Sequence, residues 1–381
     1  MRIVHIGLKS HYTEGMLYQD NILSDIHARM GHDVTFITDT LCFQGNELIR
    51  VPEEETILTN GVRLIRFNYD YILTKFISNK IHKVKELYST LERIKPDVIL
   101  FHGVCGYELM NVARYINEHP EVQFYVDSHE DFNNTARHLV SKLAYKYIHG
   151  YFVKKALPKI KKILFLTLEI KQYLQNMYSI PEEMLEFYPL GGIVVSEENQ
   201  SFYREKIIQS FNLNQDTIIC AHSGKLEIGK RTKELLSAFN QIQDDRMHLF
   251  IFGSIPKEQE HILYPMINSN KNVHFLGWKN NTEITDFLAG VDLYCQPGTQ
   301  SATFQVALCC GCATMVYPYP SHKYLMGEEC FYVNSEKDIK EVFEAIIEDQ
   351  KILSEMKEKS YKTAKKKIDY EELAKRILAI E

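Results

Sequence analysis

The run Ser223-Gly224-Lys225-Leu226-Glu227-Ile228-Gly229-Lys230-Arg231 sets two lysines five positions apart, after a β-branched segment, 217–221, and before a helical run, 232–242. The glycine lets backbone approach a ligand closely. A helix N-terminus offers N–H donors and the positive end of a dipole, and the ammonium groups add full charge. Together these favour a bound anion, and a diphosphate fits. The same residues also suit an ordinary strand-to-helix loop with two solvated lysines, and the loop alone does not decide between the two. Other positions have comparable chemistry. Gly253 and the pair Gly277-Trp278 each close a short apolar strand, at 249–252 and 273–276. The turn holding Gln300, Ser301, Ala302, Thr303 and Gln305 leads from a strand into a helix ending at Gly311. Its hydroxyls suit phosphate or sugar, or plain N-capping. In the first half, Asp127-Ser128-His129-Glu130-Asp131 follows another strand, so His129 is either a structural histidine or a functional one.

Alternating strands and helices must position these residues. A strand at 3–7 precedes a helix expected over 15–30, with Leu17, Ile22, Leu23, Ile26 and Met30 as its apolar stripe and Gly31 as its stop. Strands follow at 33–38, 97–102, 123–127 and 163–167, with helical runs between most of them. The pattern lapses between Gly191 and Gln215, then resumes with strands at 217–221, 248–253, 272–277, 292–296, 314–317 and 330–333. Short apolar strands alternating with helices imply parallel sheets covered on both faces. At 381 residues the chain is long for one core. The expected fold is therefore α/β, with two doubly wound Rossmann-like domains facing a central cleft. Residues 1–195 form the first domain and 196–360 the second, and a C-terminal helix, 361–381, can cross back to the first.

The formal net charge of -6 argues against nucleic acid as the main partner. Residues 1–7 read as a strand and not a signal peptide, and no window has the apolar length of a membrane span. Cys309-Cys310-Gly311-Cys312 lacks paired CxxC spacing and reads as small residues packing a helix on a sheet. A reduced, cytoplasmic protein is expected.

The combined order of motifs resembles the carboxyl half of family 4 retaining glycosyltransferases of the GT-B fold. The matching residues are Ser223-Gly224-Lys225-Leu226 with Lys230-Arg231, Glu234-Leu235-Leu236 with Ala238-Phe239, Val273 with Phe275-Leu276-Gly277-Trp278, Asp292-Leu293 with Pro297, and Ala307-Leu308 with Gly311. The first half is similar through Gly15, Tyr18, Gln19, Asn21 and Leu23, then Gly31-His32-Asp33-Val34-Thr35. The resemblance spans nearly the whole chain. It implies that Lys225 and Lys230 bind the donor diphosphate, that Gly15 lets backbone approach the donor, and that Gly277 and Trp278 contact the base. It also gives His129 a place beside the donor sugar, and leaves Glu130 and Asp131 as acceptor candidates. One departure stands out: the glutamate pair usual in this family is missing from 297–306, where Gln300, Ser301, Thr303 and Gln305 supply only neutral hydrogen-bonding groups.

The expected activity is sugar transfer, with retention, from a nucleotide-diphosphate sugar to a glycan or lipid-linked glycan, in bacterial surface polysaccharide synthesis. Charge building on the leaving diphosphate would meet Lys225 and Lys230, so neither metal nor other cofactor is expected. Two basic segments with interleaved apolar residues, 75–85 and 137–162, suit either solvated helix faces or the anionic inner face of the cell membrane. Two alternatives use the same diphosphate loop: a sugar-nucleotide epimerase or hydrolase, and a non-catalytic nucleotide-sugar-binding protein. A nicotinamide enzyme fits poorly, because residues 7–15 lack GxGxxG spacing.

Overall fold

The computed structural model describes residues 1–45, 47–72, 74–132, 135 and 138–379. The chain divides into two compact units, Met1–Pro189 with Leu373–Glu381, and Leu190–Glu372. The sequence reading set this junction at 195/196.

The first unit contains β1 Arg2–Gly7, β2 Asp33–Asp39, β3 Leu41–Gln44, β4 Glu47–Arg50, β5 Glu54–Ile57, β6 Arg63–Phe67, β7 Val98–His102, β8 Gln123–Ser128, β9 Lys162–Phe165 and β10 Leu185–Phe187. Its main sheet runs β10-β9-β8-β7-β1-β2-β6-β5. Every neighbour in it pairs in parallel except β5, which lies antiparallel on β6. Strands β1, β7 and β8 are almost wholly buried, as expected for the centre of a parallel sheet with helices on both faces. Five strands escaped the sequence reading: the β3–β4 hairpin, β5, β6 and β10. They are short, and all but β3 carry charges, such as Glu54 on β5 and Arg66 on β6, which pair with each other at 2.9 Å. The periodicity that marks a core strand is diluted there.

The first helix is shorter than expected. It runs Gln19–Arg29, not from residue 15, and Leu17 is exposed instead of forming part of its stripe. Gly15 sits in a left-handed turn at φ +80°, outside helical space, and the Met16 N–H donates to the Thr13 carbonyl at 3.2 Å.

The second unit contains β11 Ile218–Lys225, β12 Met247–Ser254, β13 Val273–Gly277, β14 Leu293–Gln296, β15 Ala313–Val316 and β16 Phe331–Tyr332. They form one parallel sheet in the order β13-β12-β11-β14-β15-β16. β11 does not end at Ala221, the limit of the strand expected over 217–221, but runs on to Lys225. It stays paired with β12 through Gly224↔Gly253 and Lys225↔Ser254. A Cβ on Gly253 would lie 1.8 Å from the Gly224 carbonyl oxygen, so the pairing persists because residue 253 has no side chain. The helix after the loop is also shorter than 232–242, ending at Phe239. Leu235, Leu236 and Phe239 bury its inner face against Ile218, Cys220 and Phe343. Asp292, just before β14, is buried and accepts from Arg204 at 2.6 Å, Lys357 at 2.8 Å and the Ile219 N–H at 2.9 Å. Cys309, Cys310 and Cys312 are buried, and the Cys312 thiol donates to the Leu288 carbonyl at 3.2 Å. Among the described residues no helix is long and apolar enough to cross a membrane.

Candidate functional site

In the second unit the carboxyl ends of β11 and β14 bring two of the sequence-selected segments together. After β11 the chain makes a single 3-10 turn, Ile228–Lys230, and Arg231 adopts a left-handed φ of 57° before the helix Thr232–Phe239. Thr299 donates its N–H to the Gly229 carbonyl at 2.9 Å. The Lys230 ammonium donates to the carbonyls of Thr299 at 3.2 Å and Gln300 at 3.4 Å. A Cβ on Gly224, whose φ is +136°, would come within 3.7 Å of that ammonium. Lys230 thus lies over bare backbone, at the rim of the 297–300 turn. Burial pulls its pKa below the ordinary lysine value, only partly offset by Glu227. Among the described residues no carboxylate lies within ion-pair distance of it. An anion placed there would restore the ammonium's preference for charge.

Below this rim runs a line of hydroxyls. Ser223 is buried and shares a hydrogen bond with the Tyr294 hydroxyl at 2.9 Å. Tyr294 also bonds the Thr303 side chain, which lies 3.1 Å from the Ser301 hydroxyl. Ser301 receives the Thr303 N–H at 3.3 Å, and Ala302 is the N-cap residue of the helix Thr303–Cys309 without a side-chain cap. Gln305 keeps its amide oxygen buried without a hydrogen-bond partner among the described residues.

The remaining candidates take other positions. Lys225 is exposed and pairs with Glu227 at 2.6 Å, turned to its own loop and not towards Lys230's carbonyls. Gly253 serves the β11–β12 approach described above. Gly277 ends β13, two strands from β11, with φ +66° and open space where a side chain would be. Trp278 beside it is 73% exposed. In the first unit Gly15 forms an exposed turn.

The structure adds groups to the site to which the sequence reading gave no role. Arg231 donates to the Asn334 carbonyl at 2.9 Å and lies 5.9 Å from the Tyr317 ring centre. His222 is fully buried, bonded to the Cys295 carbonyl at 2.7 Å and the Thr232 hydroxyl at 2.9 Å. It thereby ties β11, β14 and the helix start together. Gln296 is fully buried, and neither of its amide atoms has a partner among the described residues. Strand alternation puts Gln296 on the face of Tyr294, which is the only signal the sequence carries for it.

At the carboxyl end of β8, in the first unit, His129 keeps 43% of its side-chain surface and turns Nε2 towards Asp127 Oδ1, 3.7 Å away. Burial opposes its charge, but the Asp127 carboxylate prevails and raises its pKa. Glu130, an acceptor candidate by resemblance, is not exposed. It is buried and takes a 2.7 Å hydrogen bond from the Lys9 ammonium, which holds the carboxyl below its usual range against the cost of burial. Asp131 is half-buried.

The basic segments also differ from each other. Residues 139–156 are helical throughout, with a π-helical turn at Tyr145–His149. Leu139, Val140, Leu143, Tyr147, Ile148 and Tyr151 are between 47% and 79% exposed on it. Lys142, Lys146, Lys154 and Lys155 stand exposed among them. Arg137 lies outside the described residues, as do the side chains of Lys75 and Phe76. The rest of 75–85 contributes no exposed large apolar side chain among those described, and Lys83 pairs with Asp70 at 3.5 Å.

Residues 203–366 match the family model for glycosyl transferases group 1. No curated protein matches the chain in sequence. Among solved structures, the chain is similar to HepE of Anabaena in complex with UDP, at 13% identity and a TM-score of 0.65, covering 100% of this chain and 99% of that one. It is also similar to a glycosyltransferase from Rickettsia africae ESF-5, at 12% identity and a TM-score of 0.68, over 100% and 97% of the two chains. A third is WaaG, a glycosyltransferase involved in lipopolysaccharide biosynthesis, at 14% identity and a TM-score of 0.62, over 99% of each. The chain therefore has the GT-B fold of these glycosyltransferases along its whole length, and its second unit matches the group 1 glycosyl transferases over residues 203–366.

Proposed function

We propose that the protein is a retaining glycosyltransferase that moves a hexose from a nucleotide-diphosphate donor to a glycan or lipid-linked glycan in surface polysaccharide synthesis. The observation that carries this reading is Lys230. Its half-buried ammonium sits over Gly224, steadied by two carbonyls and lacking a carboxylate among the described residues. That position suits the diphosphate, whose growing negative charge in the transition state the ammonium would stabilise. The lysine does a cation's work here, so the reading needs no metal. Arg231 joins the proposal as the second cation, in place of the exposed Lys225. Ser301, Thr303 and Gln305 would meet donor hydroxyls through neutral hydrogen bonds where the family usually offers carboxylates. His129 is assigned to the donor sugar, and the departing phosphate oxygen takes the acceptor's proton. The match of 203–366 to group 1 glycosyl transferases supports the activity, HepE's complex with UDP supports a nucleotide donor, and WaaG's role supports the surface-glycan setting. The lysines and bare apolar side chains of 139–156 favour an anionic membrane surface as the place where the acceptor is met, with the protein peripheral on the cytoplasmic side.

The test is thermal stabilisation by UDP, GDP, CDP and ADP, each against wild type and Lys230→Ala. Nucleotide at a hundred times its dissociation constant stabilises by about 2.7 kcal/mol, which shifts the melting midpoint visibly. One nucleotide should stabilise wild type and not the variant. If none stabilises wild type, the donor site is misplaced and glycosyl transfer loses its main support.

A further inference from the structure

Beneath His129, a line of buried side chains crosses the first unit's sheet. His27 Nε2 lies 3.1 Å from the Ala374 carbonyl, and His27 Nδ1 lies 3.1 Å from His5 Nε2. His5 Nδ1 is 3.0 Å from His102 Nε2, and His102 Nδ1 is 2.5 Å from Asp127 Oδ2. The other carboxylate oxygen, Asp127 Oδ1, takes the Gly103 N–H at 3.1 Å and faces His129 Nε2. His5 on β1, His102 on β7 and Asp127 on β8 occupy neighbouring strands, and His27 comes from the helix Gln19–Arg29. All three histidines are nearly or fully buried.

Counting protons fixes the charge of this line. Both of its ends, a carbonyl and a carboxylate, can only accept. Four hydrogen bonds therefore need four N–H groups, but three neutral imidazoles supply three. The complete line holds one imidazolium. His102 is where it belongs, because only that ring touches a carboxylate. The bonds then run one way: His102 donates to Asp127 and to His5, His5 to His27, and His27 to the Ala374 carbonyl.

We propose that Asp127 is a positioning residue for His129, and that the three-histidine line with one resident proton on His102 keeps Asp127 ionised and its second oxygen aimed at His129 Nε2. The carboxylate cannot rotate away without breaking a buried ion pair, so the oxygen that His129 faces stays in place. Titration directions agree with the geometry. Burial and the neighbouring rings push His5 down, and burial pushes His27 down to about 4. Burial also opposes charge on His102, yet Asp127 raises its pKa. The remaining ionisable groups facing the line are His32 beside His27, Asp20 near His102 and His129, and Glu130 beside His129, which is itself paired with Lys9. The role this gives His129 rests on the glycosyl-transfer reading. The proton count does not.

The test is imidazole nitrogen NMR on the full-length protein carrying ¹⁵N-labelled histidine, titrated from pH 5.5 to 8.5 without nucleotide. In wild type, His102 should show two protonated nitrogens across the range, while His5 and His27 stay neutral with the proton on Nε2. In Asp127→Asn the carboxylate is lost, His102 should become neutral at pH 7, and the midpoint of His129 should fall by about one pH unit or more. A neutral His102 in wild type, or protons on Nδ1 of His5 and His27, would overturn the proton count. An unchanged His129 midpoint in a folded Asp127→Asn protein would overturn the positioning role. Should that variant not fold, Asp127→Glu moves the carboxylate without removing it and should still shift the His129 midpoint. An unmoved midpoint there counts against the proposal. No nucleotide enters the experiment, so its failure is separable from failure of the donor site.

Discussion

Lys225 and Lys230 have the same charge and lie on the same loop, yet the fold uses them differently. Lys225 spends its charge on Glu227 in the open, where an ion pair contributes little. Lys230 is held over Gly224 by the 297–300 turn, and that hold depends on Gly298. A Cβ there would stand 2.2 Å from the Gly229 carbonyl oxygen. Gly298→Ala should therefore push the turn off the lysine loop, costing about 1–3 kcal/mol as an overpacked contact. It should also abolish nucleotide-induced stabilisation, while Lys225→Ala leaves most of that stabilisation in place. Melting curves with and without nucleotide check both, and a Gly298→Ala protein stabilised as well as wild type would remove the turn from the site. At this scale the sequence marked candidate residues, because Ser-Gly-Lys and Ser-Ala-Thr are local signals. It could not show partnership. Ser223 meets Tyr294 across 71 positions, and His102 meets His5 across 97, so the groups that lock the candidate residues were invisible to any local pattern.

Elements were legible where burial was uniform. The central strands of both sheets are apolar runs, so their existence and order along the chain could be read, whereas charged or very short strands such as β5 and β10 could not. The helix over 139–156 is a different case: its lysines were plain in the sequence, but lysine-rich helices are usually solvated on one face and packed on the other. Here His149, Phe152 and Val153 pack inwards across a π-turn while six large apolar side chains face out. An exposed stripe of that size is where the proposed membrane contact would lie. Vesicles of phosphatidylglycerol should bind the protein in sedimentation, more weakly at high salt, and phosphatidylcholine vesicles should bind it less. Burying one such side chain is worth about 2 kcal/mol, so Val140→Ser with Tyr147→Ser should lower partitioning at least tenfold. Equal binding of the double variant would exclude this helix as the membrane face.

For the whole molecule, the sequence suggested two parts from the lapse near residue 200 and a C-terminal helix, 361–381, able to cross back, whereas only Leu373–Glu381 joins the first unit. That return rests on contacts such as the Tyr188 hydroxyl donating to the Leu373 carbonyl at 2.8 Å, 185 positions apart. A second property of the entire chain follows from how many histidines it buries. Burial lowers the pKa of His27, His149 and His222 to about 4 and of His82 to about 3. Unfolded histidine titrates near 6.5. Between these values the unfolded chain binds protons that the folded chain refuses, so the stability these groups contribute is whole above pH 6.5 and is lost as the pH falls towards 4. His102 and His129 are shifted the other way. Below pH 6 they are protonated in both states, and so they do not oppose the loss. Each lowered group removes up to about 1.4 kcal/mol per pH unit, and four together up to about 5.5, against a total stability of about 5–15 kcal/mol. Urea midpoints measured at pH 7.5, 6.5, 5.5 and 4.5 should hold between the first two and then fall steeply, with unfolding in buffer alone near the last. A midpoint that stays level from pH 6.5 to 4.5 would mean that these rings accept protons inside the fold, and that the buried lines of histidine are open to water.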